Sequence, residues 1–294
     1  STYGTTSVMF WYLGLIPDFA TVRDKCRVGS LKRAIYSLVS FGWKGTVKDW
    51  NHYERAYAQF AWISTPLVLS VHSTVSFDFA TSKVPGWHTT IFPPYFVAGA
   101  IFGGFGMVVF LLAPMRSMLK LEKYITFTHL ELCNKIILAT SMIVGYAYAM
   151  EFFAAWFSES VYERSQFLYR LTGPHAWMFW TMTLCNVVAP QFFWWKRVRR
   201  SLIGMWIISV FVNIGMWFER ANIFMLSLER DHLPSSWDMW VGTSWDWMVV
   251  AGSFGWFMFL FLLYAKTMPT IAISEIKSVL VNPSGKAKGG AHHG

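Results

Sequence analysis

Several ionisable residues lie within, or at the ends of, apolar stretches long enough to cross a lipid bilayer: His72, Asp78, Glu151, Glu219 and Arg220. An ionised Asp in hydrocarbon costs at least about 2.5 kcal/mol even on permissive insertion scales. Such a residue is kept where it faces protein or water, and it marks a route for protons, ions or a polar substrate. The stretch VHSTVSFDFA, residues 71–80, carries two of them.

His72 and Asp78 are six residues apart in one predicted helix. At about 3.6 residues per turn, this separation gives a net rotation of about 240° and a rise of about 9 Å. The two side chains therefore do not share a face, and we treat them as separate sites. Asp78 is either part of a functional site or a water-exposed residue at a helix end. His72 either belongs to a proton route or bonds a neighbouring helix.

The stretch NIGMWFERANIF, residues 213–224, places Glu219 and Arg220 side by side in another predicted helix. An arginine at this depth needs a partner, and either Asp78 or Glu219 can supply it. The alternative is an arginine that extends to the membrane surface and anchors the helix end.

Glu151 has Tyr148 three residues before it and no basic residue close in sequence. We expect a hydrogen bond from Tyr148 and a carboxyl group that is protonated or faces a cavity. At the other end of the same predicted helix, Thr128-x-x-Glu131 has the spacing of a capping box, and Glu131 and Lys135 have the spacing of an ion pair. These residues are interpreted as structural.

The composition identifies the broad class of protein. Of the 294 residues, 54% are hydrophobic and 14% are charged, whereas soluble domains carry about 25% charged residues. The three cysteines form no CxxC or CxxCH motif, so no metal, iron–sulfur cluster or c-type haem is expected on this chain alone. The net charge of +9 lies in clusters between apolar segments, which favours membrane orientation over nucleic-acid binding.

Apolar runs of about 20 residues, the length that spans a bilayer, predict an all-α, polytopic transmembrane helix bundle with six complete spans. The runs are 57–80, 93–113, 136–157, 175–195, 202–223 and 245–265. A shorter run opens the chain. We interpret residues 1–20 as the end of an earlier transmembrane helix, and we expect further helices to precede it.

Lysine and arginine residues orient these spans. Twenty of the 25 lie in four regions and only five lie in the intervening loops; the four regions are 23–55, 116–135, 196–200 and 266–294. Because cytoplasmic loops carry the excess of basic residues, the C-terminus is predicted to be cytoplasmic. Asp78 and Arg220 then lie at external helix ends.

The predicted segments follow from this alternation. Residues 21–56 form a cytoplasmic loop, in which the apolar spacing of 28–41 indicates an amphipathic helix on the membrane surface. Residues 57–267 form the six-helix transmembrane region. Residues 268–294 form a cytoplasmic tail that ends in GKAKGGAHHG, a composition typical of a flexible segment.

Three stretches together, HSTVSFDFA, PPYFVAGAIFGGFGMV and WFERANI, resemble those of the polysulfide reductase/NrfD-type integral membrane subunits. The resemblance is strongest to the ActC subunit of bacterial alternative complex III, a quinol:electron-acceptor oxidoreductase. It covers essentially the whole chain as the C-terminal portion of a longer subunit. It implies a multi-pass protein of the bacterial inner membrane that acts in an enzyme complex and not as an isolated chain.

The resemblance also implies ligands, partners and residue roles. The substrate would be a quinol, menaquinol above all, and the chain would bind no redox cofactor of its own. Iron–sulfur clusters and haems would belong to partners: an external iron–sulfur subunit, other integral membrane subunits and a cytochrome c. Asp78 and Arg220 match the carboxylate and arginine of the quinol site by position, and Glu219 lies beside them. His72 and Glu151 are weaker matches to that site or to a proton route.

Quinol oxidation releases two electrons and two protons. A partly buried carboxylate can accept a proton near neutral pH, and an arginine can hold a quinone oxygen. Without cysteine or histidine ligand sets, the electrons must leave to another subunit.

Two other classes of function stay open on the sequence alone. A proton-translocating or secondary transport module would use a pathway through His72, Glu151, His129 and Glu131, and inverted repeats with broken helices would favour it. A structural anchor would only hold peripheral subunits at the membrane. The glycines at 99, 103, 104 and 106 are more typical of close helix packing than of broken transport helices.

Overall fold

The computed structural model describes residues 2–230, 232–269 and 271–276. Within these ranges the chain is helical and has no β-strand, which confirms the predicted all-α class. The α-helices are α1 Thr2–Lys25, α2 Leu31–Val39, α3 Val47–Ala80, α4 Phe92–Met118, α5 Phe127–Phe157, α6 Val161–Thr172, α7 Ala176–Thr183, α8 Lys196–Arg199, α9 Leu202–Ala221 and α10 Ser244–Thr267. π-helical turns occupy Leu184–Val188 and Asn222–Leu226, and 3-10 turns occupy Ala189–Trp194 and Pro234–Ser236.

Five helices in the described part of the chain are long and apolar enough to cross a membrane: Val47–Ala80, Phe92–Met118, Phe127–Phe157, Leu202–Leu226 and Ser244–Thr267. Each contains one of the predicted spans. The predicted span 175–195 instead contains α7, a π turn and a 3-10 turn in succession. Pro190 lies in the first turn of the 3-10 segment, and its missing N–H removes a hydrogen bond that an α-helix would need there.

The chain forms two compact units. Unit 1 contains the described residues within 1–68 and 242–276, and unit 2 contains those within 69–241, so that the boundary falls within α3. In unit 1, α2 packs on α1: the Tyr12 hydroxyl donates to the Val39 carbonyl, and the Arg23 guanidinium donates to the Ser40 hydroxyl at 3.2 Å. The predicted flexible segment 285–294 lies outside the described residues.

Helix α2 confirms the predicted helix within residues 28–41. Ser30 caps its first turn by accepting a hydrogen bond from the Lys32 N–H, as an N-cap serine typically does. Leu31, Ile35 and Leu38 share an apolar face that is exposed in this chain. That face is suited to a membrane surface.

Unit 2 is a helix bundle in which α4 packs on α5 and α9, and α9 packs on α7. Its core contains buried apolar side chains from each of these helices, including Phe102, Ile137, Met178 and Val212. The glycines of α4 bring α9 close. A Cβ atom on Gly106 would lie only 2.5 Å from Val212 Cγ1, so the predicted packing role of this glycine is confirmed.

The start of α5 differs from the prediction. Thr126 is the N-cap, and His129 Nδ1 accepts from the Thr126 N–H at 3.4 Å. The predicted capping box of Thr128 and Glu131 is therefore wrong, because both residues already lie inside the helix. Glu131 is instead used in ion pairs.

The Gly106→Ala substitution should destabilise the bundle. The added methyl group overlaps Val212, and overpacking of this kind costs about 1–3 kcal/mol. Thermal unfolding of the purified protein in detergent measures the effect. Gly104→Ala is the matched control, because a Cβ atom there would have no described residue within 4 Å. Equal stability of the two variants would contradict the close α4–α9 contact.

Candidate functional site

The polar side chains of unit 2 converge on Glu219, which is 1% exposed. The Tyr148 hydroxyl donates to Glu219 Oε2 at 2.6 Å. Asn186 Nδ2 donates to the Tyr148 hydroxyl oxygen at 2.9 Å and to Glu219 Oε2 at 3.4 Å. The Tyr95 hydroxyl lies close to both Tyr148 and Glu219. We call Tyr95, Tyr148, Asn186 and Glu219 the Glu219 cluster.

Four elements supply this cluster: α4, α5, the π turn Leu184–Val188 and α9. Gly215, one turn before Glu219, makes room for Asn186, since a Cβ atom there would lie 2.1 Å from Asn186 Oδ1 and 2.7 Å from Cys185 Cβ. π turns occur frequently at functional sites. Gly215 and the π turn together place the Asn186 amide against the carboxylate.

Arg220 lies at the edge of the cluster. Its Nη2 atom is 3.7 Å from Glu219 Oε1, and its guanidinium carbon lies 4.3 Å from the centre of the Phe96 ring. One third of the side chain is exposed, while the buried Nη1 atom has no hydrogen-bond partner among the described residues. The sequence predicted Asp78 or Glu219 as the partner of Arg220, and Glu219 is the residue that contacts it.

Asp78 is exposed and makes no hydrogen bond or ion pair with any residue that the structure describes. The neighbouring Phe79 stacks on Phe96 at a centroid distance of 5.7 Å, and Phe96 carries Arg220 on its face. Asp78 and Arg220 therefore lie at the same end of the bundle without forming a pair.

Glu151 is buried, and its Oε1 atom has no hydrogen-bond partner among the described residues. The predicted bond from Tyr148 is absent, because Tyr148 donates to Glu219. Glu151 interacts electrostatically with both Glu219 and Arg170. The basic partner that is missing from the local sequence thus comes from α6.

Arg170 is itself buried, with 5% of the residue exposed. Its Nη2 atom donates to the Ser227 hydroxyl at 2.6 Å, and its guanidinium lies 4.7 Å from the Phe167 ring centre. Burial lowers the pKa of Arg170 and the charge of Glu151 opposes this, but an arginine stays protonated in proteins. Gly86 has φ +85°, and a Cβ atom there would lie 2.6 Å from Arg170 Nη2, so a larger residue would displace the guanidinium.

Two side chains hold the π turn Asn222–Leu226 that follows Arg220. Trp87 Nε1 donates to the Ile223 carbonyl at 2.7 Å, and Gln166 Nε2 donates to the Leu226 carbonyl at 2.5 Å. A π turn leaves carbonyl groups available for such donors. The loop before α4 and helix α6 thereby fix the end of α9.

The other residues predicted for a proton route lie elsewhere. Glu131 binds Arg199 Nε at 3.2 Å, Arg200 Nε at 2.6 Å and Lys135 Nζ at 3.5 Å, which confirms the predicted pair with Lys135. Seventeen residues separate Glu131 from Tyr148, so they lie about 26 Å apart along α5.

His129 caps α5, as described above, and His72 is half-buried on α3. The assignment of His72, His129 and Glu131 to a proton route stays a prediction.

Sequence reasoning missed Tyr95, Asn186 and Arg170. Asn186 is a polar residue inside the apolar run 175–195, and that signal could have identified it. Arg170 lies on α6, which is too short and too polar to appear as a span. No group of three His, Cys, Asp or Glu side chains is arranged to hold a metal ion in the part of the chain that the structure describes.

The helices and the Glu219 cluster define a multi-pass membrane protein with a buried polar site between its spans. The family described as polysulphide reductase, NrfD, matches residues 5–230 of the chain. The chain belongs to this family, whose members are membrane subunits of quinol-linked oxidoreductases and partner with iron–sulfur subunits in membrane complexes. Comparison with curated proteins gives no match.

The Tyr148→Phe substitution should destabilise the protein. It removes the donor to the Glu219 carboxylate and the acceptor of Asn186, and a buried polar group left unpaired costs about 1–3 kcal/mol. Thermal denaturation of the purified protein measures the loss. Tyr146→Phe on the same helix is the control, because Tyr146 is exposed. A melting temperature that falls equally in both variants would be inconsistent with the hydrogen-bonded cluster.

Proposed function

We propose that this chain is the quinol-binding integral membrane subunit of a respiratory quinol:electron-acceptor oxidoreductase of the alternative complex III type. One observation carries the proposal: Arg220 is partly exposed and borders a buried carboxylate cluster, and its Nη1 atom has no hydrogen-bond partner among the described residues. Membership of a family of quinol-linked membrane subunits supports it. Menaquinol is the proposed quinol.

The proposed location is the bacterial inner membrane, with the C-terminus in the cytoplasm. The clusters of basic residues at alternate ends of the spans support this orientation, because cytoplasmic segments carry the excess of lysine and arginine. Arg220 and Asp78 then lie on the external side, where the iron–sulfur subunit is proposed to bind. Further integral membrane subunits and a cytochrome c subunit complete the proposed complex.

At the proposed site, quinol oxidation yields one quinone, two protons and two electrons. The Arg220 guanidinium, which is one third exposed, donates a charge-assisted hydrogen bond to a quinol oxygen. Asp78, exposed at the same end of the bundle, accepts the two protons one after the other as a general base and releases each to the external side. The electrons would leave this chain to an iron–sulfur partner subunit, and any haems would belong to other subunits.

We further propose that the Glu219 cluster conducts protons. The Tyr148 hydroxyl is in hydrogen-bond contact with the Glu219 carboxylate, so a proton can move between a phenol and a carboxyl group without a large displacement. Glu151 is coupled electrostatically to Glu219 and Arg170, which provides a next position for the proton. His72, His129 and Glu131 are kept as proposed members of the wider route.

One observation favours a second candidate function, a proton-translocating or transport module. The predicted span 175–195 changes from α to π to 3-10 geometry, and its π turn carries Asn186 of the Glu219 cluster. A discontinuous membrane helix beside a buried polar site is typical of transporters. The two functions can operate in one subunit.

The Arg220→Leu substitution should lower kcat/KM for quinol oxidation by the assembled complex about tenfold or more, because a hydrogen bond to a charged group contributes about 1.5–3 kcal/mol. Steady-state oxidation of menaquinol measures the effect. Arg164→Leu is the control, since Arg164 is exposed on α6.

Intact assembly with unchanged kinetics in Arg220→Leu would refute the quinol-site role, and loss of assembly would support a structural anchor instead. In the same assay, unchanged turnover and quinol affinity in Asp78→Asn would remove Asp78 from the mechanism.

The Glu219→Gln substitution should lower the number of protons released per electron. The ratio should fall to that of quinol oxidation itself, which releases two protons with two electrons. Glutamine still accepts a hydrogen bond from Tyr148 but cannot carry the proton. The complex in sealed vesicles, with external acidification recorded during quinol oxidation, gives this ratio. Glu159→Gln is the control because Glu159 is exposed. A ratio that is the same in both variants and the wild type would exclude Glu219 from proton conduction.

A further inference from the structure

A groove of about 310 Å³ lies in unit 2 between the end of α4 and the start of α9. It is lined by Ala113, Pro114, Ser117, Leu202, Ile203 and Trp206. Ile203 and Trp206 are exposed, so the groove opens to the surroundings. Deeper along the helices, the Phe110 and Trp206 rings stack with centroids 6.0 Å apart. The groove is therefore apolar and lies on the outer face of two membrane-spanning helices.

The chain next to this groove is strongly basic. Residues 116–135, which follow the α4 wall, hold four basic residues, and residues 196–200, which precede the α9 wall, hold four more. Against these eight stand two acidic residues, Glu122 and Glu131. Glu131 is already shared by three cations, Lys135, Arg199 and Arg200. A positive excess is left at this end of the bundle.

Arg200 lies two residues before Leu202, the first residue of the α9 wall of the groove. Its Nε atom binds Glu131, about half of the side chain is exposed, and its Nη atoms make no hydrogen bond with any described residue. Ser201 follows as the N-cap of α9 and accepts from the Gly204 N–H at 3.2 Å. The N–H groups of Leu202 and Ile203, in the first turn of α9, have no intrahelical acceptor.

We propose that this groove binds an anionic phospholipid. An acyl chain lies against Pro114, Ile203 and Trp206, and the phosphodiester contacts the Arg200 guanidinium and the first turn of α9. Charge complementarity selects an anionic head group over a zwitterionic one, since basic clusters at membrane helix ends attract anionic lipids. The apolar groove selects a lipid over a free phosphate ion. This site is separate from the Glu219 cluster and does not rest on the proposed quinol chemistry.

The test is native mass spectrometry of the purified full chain after incubation with phosphatidylglycerol or phosphatidylcholine of the same acyl chains. The wild type should retain phosphatidylglycerol about fivefold more than phosphatidylcholine, because one basic residue at an anionic lipid surface contributes about this factor. Arg200→Gln should abolish the preference. Ile203→Trp, which fills the groove without changing the charge, should lower phosphatidylglycerol retention.

Arg197→Gln is the matched control, because Arg197 is exposed on α8, just before Arg200, and its substitution removes the same charge. Its lipid retention should equal that of the wild type. Equal retention of both lipids by the wild type, or equal losses in Arg197→Gln and Arg200→Gln, would overturn the proposal. Unchanged retention in Ile203→Trp, or binding of inorganic phosphate without lipid, would also overturn it.

Discussion

The structure of unit 2 depends on the hydrogen bond between Tyr148 and Glu219, which gives a buried carboxylate a partner inside the protein. No water is available inside a bilayer, so each polar group buried there must find its partner within the protein. Glu219 is almost fully buried and finds its partners on α4, α5 and the π turn Leu184–Val188. Gly215 serves this requirement, because a Cβ atom there would lie 2.1 Å from Asn186 Oδ1 and would displace the amide that donates to the carboxylate.

The need of buried polar groups for partners also explains why Arg220 is suited to bind a ligand. Arg220 contacts the Glu219 carboxylate, yet one third of its side chain is exposed and its Nη1 atom has no partner in the described part of the chain. Most buried polar groups have a hydrogen-bond partner, so an unpaired donor beside an exposed part of the same guanidinium is suited to bind a ligand. Glu151 and Arg170 show the same incompleteness: each is buried, each has an atom without a hydrogen bond among the described residues, and each acts on the other electrostatically.

Much of the fold could be predicted from the sequence because span length and hydropathy are local properties. The helices of all five candidate spans lie where apolar runs predict them, and the glycines of α4 largely have the expected packing role. The start of α5 was predicted wrongly because Thr126 and Thr128 are both competent caps, and the side chain of His129 decides between them. The short helix α6 carries no span signal, although it supplies Arg170.

The candidate site was only partly predictable, for a geometric reason. Sequence position fixes the height of a residue along its helix, and this correctly placed Asp78 and Arg220 at the same end of the bundle. It does not fix which faces of different helices meet, so Asp78 was not distinguished from Glu219 as the partner of Arg220. Tyr95 and Asn186 reach Glu219 only through the packing of α4, α5 and α9 with the π turn.

The central claim is that the buried Glu219 carboxyl responds to quinol chemistry at the edge of its cluster. Infrared difference spectroscopy of the assembled complex, recorded between its quinol-reduced and oxidised states, tests this most directly. We predict a carboxyl band that changes with quinol oxidation in the wild type and is missing when residue 219 is glutamine. Identical difference spectra for the two proteins would contradict the claim.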